Sequence, residues 1–190
     1  TALTQREASR GAGMTYAGRG LVYEDCRRDA AVNVGADLRA RLQAPLDLVL
    51  TSARWFTDRA ARLFLRSLTA AFHAHGVREI DLPTFWLRVQ SSMYGDGPEG
   101  LGALRAELSD RWRSLLGVDD GGEELRLKAA DLKAAVQHAF HVEGSVWPGA
   151  LVQSPDVMIA AGSIDAVTEG NFRFVLGEIH VGINTLLIHS

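Results

Sequence analysis

Apolar residues recur at three- and four-residue spacing through the middle of the chain. Near its ends they alternate or run together. Asp37-Leu-Arg-Ala-Arg-Leu starts a helix, and Pro45 sits where a first helical turn tolerates proline. Ser52 is placed to cap the next helix by accepting from an exposed backbone N–H. In that helix Phe56, Ala60, Leu63, Phe64, Ala71 and Phe72 form an apolar stripe as far as His75. Arg59, Arg62 and Arg66 fall on its other faces, and Gly76 ends it. Leu82-Pro83 opens a further helix through Met93. Leu101, Leu104, Leu108, Trp112 and Leu115 predict another, ending at Gly117. Ala129 to Phe140 reads as a helix with Leu132, Ala135, Val136 and Ala139 as its stripe.

The ends read as strands. Arg19 to Cys26 and Ala30 to Gly35 predict two short ones near the start. Leu125 and Leu127 suggest a brief one, and Val157-Met-Ile-Ala-Ala reads as a buried one. Ser163 to Gly170 reads as a capped short helix or turn. From Phe172 to His180, the residues Phe172, Phe174, Leu176 and Glu178 face one side, opposite Arg173, Val175 and Ile179. Short strands near both ends thus flank a central helical block. The fold class is α+β rather than regular βαβ winding. Residues 1–15 lack periodicity and read as a linker ahead of one domain, residues 16–190. The chain begins at Thr1 rather than Met and stops within an apolar run. These features read as part of a longer polypeptide.

Composition is ordinary for a globular chain, with 47% apolar and 23% charged residues. Cys26 is the only cysteine, so no internal disulfide forms, which fits a reducing cytoplasm. No apolar run approaches the roughly 20 residues of a membrane helix, so no membrane insertion is expected. The net charge of −3 hides an asymmetry. Residues 1–78 carry twelve arginines against seven acidic residues, while 79–190 carry eight basic residues against sixteen acidic ones. The basic half suits either a polyanion such as RNA or a set of solvated helix faces.

Three places hold candidate chemistry. Arg27 and Arg28 follow the first strand beside Glu24 and Asp25. Guanidinium forks there can grip phosphate, or the cluster is a surface turn with local ion pairs. Arg54, near the expected helix start, either adds to the anion affinity of free helix N–H groups or stacks on Trp55. Glu178 and His180 project from one strand face, an arrangement suited to acid–base work. No third metal ligand has matching spacing, so no metal is expected. Asp156 is a turn former or a positioned acid. Asn184-Thr185 caps a following helix, and His138 and His141 read as helix-terminal. The four tryptophans read as core. Nucleotide-binding, zinc-protease and nucleophile-elbow signatures are absent from the sequence.

Gly20-Leu-Val-Tyr-Glu-Asp-Cys-Arg-Arg, Ser52-Ala-Arg-Trp-Phe, Ser154-Pro-Asp-Val-Met-Ile-Ala-Ala and Val175-Leu-Gly-Glu-Ile-His-Val-Gly-Ile-Asn-Thr resemble the lantibiotic dehydratase family. They resemble the later part of its N-terminal glutamylation domain. The resemblance implies a cytoplasmic enzyme of lanthipeptide or thiopeptide biosynthesis. Such enzymes move glutamate from glutamyl-tRNA onto Ser or Thr of a ribosomally made precursor peptide. A separate domain then eliminates glutamate to leave a dehydroamino acid. Glutamyl-tRNA is the co-substrate and no other cofactor is implied, because the aminoacyl ester is already activated. The partners are the tRNA, the precursor peptide and the remaining segments of the same dehydratase. Arg27, Arg28 and Arg54 are the expected RNA-binding residues, and Arg54, Glu178 and His180 the expected catalytic ones. The fragment alone is expected to be inactive.

Two rivals remain open at the level of sequence. One is a noncatalytic RNA- or partner-binding scaffold, in which the arginines only dock. The other is a small hydrolase using Glu178 and His180, which needs a nucleophile or metal that the sequence does not display.

Overall fold

A single helix, α1 (Ala36–Ala74, 39 residues), forms the spine of the fold. The computed structural model describes residues 35–94, 97–118 and 124–182. The strands expected before Gly35, together with Arg27, Arg28, Asn184, Thr185 and the turn at 119–122, lie outside these. Every element described belongs to one compact unit, within residues 36–190.

Two helices expected around Pro45 and Ser52 are this one helix. Pro45 lies inside it and is exposed. Its missing N–H removes one backbone bond, which water can replace at an exposed carbonyl. Ser52 is buried and caps nothing. Its hydroxyl donates to the Val49 carbonyl at 2.8 Å, one turn back. Burial of Leu48 and Trp55 on either side of it keeps the helix continuous.

α2 (Leu82–Met93) begins with Pro83 in its first turn and Asp81 as cap, whose carboxylate accepts from the Thr84 N–H at 2.9 Å. Phe85 meets Phe72 of α1 edge to face, with centroids 6.3 Å apart. α3 (Leu101–Leu116) ends at Gly117, where φ of 62° needs the freedom of glycine. α4 (Ala129–Ala139) closes the bundle. Leu48 and Trp55 of α1, Leu101 and Leu104 of α3, and Val136 and Phe140 at α4 form the core. The Phe140 ring lies 5.4 Å from both Trp55 and Trp112. Trp86 and Trp147, expected in the core, are exposed. So are Leu125 and Leu127, which form no strand.

A 3₁₀ turn, Pro148–Leu151, leads into β1 (Gln153–Ala160). α5 (Ile164–Thr168) follows, capped by Ser163, whose hydroxyl accepts from the Ala166 N–H at 3.1 Å. β2 (Arg173–Val181) returns antiparallel to β1. The described residues are thus a helical block plus a two-stranded antiparallel sheet, and the α+β expectation holds.

This ribbon lies along α1. At its base, Gln153 Nε2 donates to Thr57 Oγ1 at 3.1 Å. At its far end, Arg41 donates to the Gly170 carbonyl at 3.2 Å, and its guanidinium sits 4.2 Å from the Phe172 ring centre. From Arg41 to Thr57 an α-helix rises about 24 Å. The eight residues of β1 span about 26 Å, so the two lengths match.

The register carries a bulge. Pro155 pairs with Ile179 but Val157 pairs with Leu176, so Gly177 and Glu178 together face Asp156. The extra residue reverses the alternation of β2. Phe172 and Phe174 are half-buried before it, and Ile179 and Val181 after it. Glu178 therefore leaves the face expected for it, and Ile179 takes the inner side. β1 is not the buried strand its apolar run suggests, since Met158 is 56% exposed and Ile159 46%.

Candidate functional site

Two groups of functional side chains come together on this frame. The first sits on the outer face of the ribbon. Ser154 pairs with His180, and the bulge leaves Asp156 opposite Gly177 and Glu178. His180 Nε2 lies 3.4 Å from Asp156 Oδ2 and 3.4 Å from Glu178 Oε2. The expected Glu178–His180 pair is thus formed, and Asp156 joins it as a second carboxylate rather than serving as a turn former. All three side chains are more than half exposed. Exposed pairs of this kind contribute about 0–1 kcal/mol. The cluster can orient an imidazole for proton transfer, but its solvation leaves that imidazole in open water. Both carboxylates approach the same nitrogen. Among the described residues no group of three or more His, Cys, Asp or Glu is arranged to hold a metal ion.

Arg54 is at the nineteenth position of the 39-residue α1, far from free helix N–H groups. Nor does it supply the stack on Trp55. Arg111 and Arg59 do so, at 4.6 and 5.6 Å from the ring centre. Instead, Arg54 Nε donates to the Leu151 carbonyl at 3.1 Å. Leu151 stands three residues before Ser154, the partner of His180, so Arg54 and the imidazole flank the same end of the ribbon. Arg54 also lines a groove of about 650 Å³ between α1 and α4, together with Asp47, Thr51 and Lys133.

The second group is a set of arginines around α1 and α3. Arg62 Nε donates to Asp58 Oδ2 at 2.8 Å, and its terminal nitrogen reaches the Gly144 carbonyl. Asp58 Oδ1 accepts from Ser145 Oγ at 2.9 Å and from the Val146 N–H at 3.3 Å. Burial by itself pushes the Asp58 carboxyl up. The Arg62 and Ser145 hydrogen bonds, the Arg62 charge and the Val146 N–H together outweigh burial and hold the carboxyl below its ordinary value. Arg111 donates to Glu107 at 2.6 Å and to the Ala139 carbonyl, while Arg59 lies 3.6 Å from the other Glu107 oxygen.

Arg59, Arg62 and Arg66 are the arginines expected on faces away from the apolar stripe. Their spacing of three and four residues was the available signal that they share one side of the helix. For Arg111 the signal is Glu107 four residues before it on α3, whereas its contacts with Ala139 and Trp55 lie on other elements and give none.

His138 is exposed in the last turn of α4, as expected for a helix-terminal residue. No helix among the described residues is long and apolar enough to cross a membrane. Comparison with family models, curated proteins and solved structures finds no match to this chain.

Proposed function

We propose that the chain works within a glutamyl-tRNA-dependent peptide dehydratase. It serves the step that esterifies Ser or Thr of a ribosomal precursor peptide with glutamate. One observation supports this reading above others. Among the described residues, three of the sequence blocks that resemble the glutamylation domain meet in space: Ser154–Met158 pairs with Val175–His180 across the ribbon, and Arg54 of the Ser52–Phe56 block bonds Leu151 at its base.

In this reading the peptide hydroxyl attacks the glutamyl ester carbonyl. A new ester bond forms, the bond to the terminal ribose oxygen breaks, and the hydroxyl proton ends on that ribose oxygen. His180 relays the proton, with Asp156 and Glu178 steadying the imidazole. Arg54 contributes positive charge beside the RNA end or the developing oxyanion. Glutamate later leaves as a carboxylate, a far better leaving group than hydroxide.

The exposure of Asp156, Glu178 and His180 favours a second reading, a noncatalytic scaffold that docks RNA or a partner segment. Single-turnover glutamyl transfer separates the two, measured on the polypeptide that carries this chain with the rest of its domain. As a proton relay, His180 makes His180→Ala lower transfer by about 10²–10⁴-fold while tRNA binding persists. Unchanged transfer in both His180→Ala and Arg54→Ala removes the catalytic assignment and leaves the scaffold.

A further inference from the structure

Between α1 and α3 lies a cavity of about 370 Å³ that no part of the ribbon reaches. One wall is Arg59, Arg62 and Arg66; the other includes Gly100, Ala103 and Glu107. We infer that this cavity is a binding site for phosphate groups of an RNA strand.

The charge balance around the cavity carries the inference. Arg62 is neutralised by Asp58 at 2.8 Å. Glu107 is shared, with Arg111 at 2.6 Å and Arg59 at the longer distance of 3.6 Å. Arg66 makes no hydrogen bond or ion pair with any described residue. Four guanidiniums thus meet two carboxylates, and the surplus positive charge lies on Arg59 and Arg66 at the cavity.

The geometry suits a phosphate strand. Arg59, Arg62 and Arg66 follow one side of α1, where neighbours three or four apart stand about 5–6 Å from each other. Such a row can address successive phosphates rather than one compact anion. Arg59 is steadied from behind by the Trp55 ring, and Arg62 by Asp58 and Gly144. The guanidinium forks are therefore partly ordered before a ligand arrives, which lowers the entropic cost of binding. Opposite them, Gly100 and Ala103 offer small side chains, so a strand can approach closely. No acidic residue occupies the first turn of α3.

This site deepens the proposed function and rests on it for the identity of the RNA. The test uses the full chain and an Arg59→Gln/Arg66→Gln variant, leaving Arg62 to hold Asp58. Unacylated tRNA is titrated by fluorescence anisotropy over a salt series, with thermal denaturation to verify the fold. In parallel, inorganic phosphate is titrated while arginine Nε–H resonances are followed by NMR.

The variant is expected to bind tRNA about tenfold more weakly at low salt. The slope of log affinity against log salt is expected to fall by about 1.4–1.8, for two phosphates lost. Equal affinity and slope in the two proteins overturns the site and leaves the glutamylation reading standing. If phosphate shifts the Arg66 resonance but tRNA does not bind, the RNA assignment is overturned, while the glutamylation reading answers to the transfer assay on the polypeptide that carries the rest of the domain. If neither ligand acts, the site itself is overturned.

Discussion

Ser145 donates its hydroxyl hydrogen to Asp58 at 2.9 Å, across 87 residues of sequence. That bond, with the Arg62 bonds to Asp58 and to the Gly144 carbonyl, fastens the segment after α4 onto α1. It is a polar tie between the helical block and the approach to the ribbon, beside the Arg54 bond to Leu151. Asp58→Ala leaves the Ser145, Val146 and Arg62 donors without this acceptor. The variant is expected to lose about 2–4 kcal/mol of stability, read from urea unfolding. A loss below about 0.5 kcal/mol contradicts this role.

The same carboxylate sets an acid limit. Its folded-state pKa lies below the unfolded value, so its contribution is complete above the ordinary carboxylate range. That contribution is lost as pH falls through the lower folded value. Wild-type stability is expected to drop more steeply than that of Asp58→Asn below about pH 4. Urea midpoints at a series of acid pH values measure the difference. Parallel curves contradict it.

Pro45 sits exposed inside α1 and forfeits a helix hydrogen bond. Pro45→Ala restores the bond and is expected to stabilise the chain by about 1–3 kcal/mol, seen as a rise in Tm. A lower Tm indicates that the break expected from sequence is real. Ser52→Ala, by contrast, is expected to change stability by less than about 1 kcal/mol, because the hydroxyl only bonds back to Val49. A larger loss restores the capping role.

Phe140 stands between Trp55 and Trp112, with ring centres 5.4 Å away on each side. Phe140→Ala opens the core where three helices meet. It is expected to cost about 3–5 kcal/mol and to alter tryptophan fluorescence. Intact fluorescence with a small cost places the core elsewhere.

Particular residues show what the sequence can carry. Leu101 to Leu116, the Ser163 cap and the strand through Phe174 are legible because their signals are local. Local rules fail at Pro45, where burial of Leu48 and Trp55 outweighs the cost of proline. They fail again at Glu178, because strict alternation assumes an unbroken register. Gly177 was the one cue to a bulge there. Asp156 joins His180 only through the pairing of the two strands, and Asp58 meets Ser145 only through tertiary packing. The Glu178–His180 pair was legible because two residues two apart on a strand share a face. The arginine cavity between α1 and α3 was not, since it takes two helices to build it.

Glutamyl transfer itself is the most direct test of the account. Radiolabelled glutamyl-tRNA and a precursor peptide are mixed with the polypeptide that contains this chain, and the label is followed through a single turnover. The account predicts a base-labile glutamyl ester on Ser or Thr of the peptide, formed at the expense of charged tRNA. Label that remains on the tRNA, or appears only as free glutamate, contradicts it.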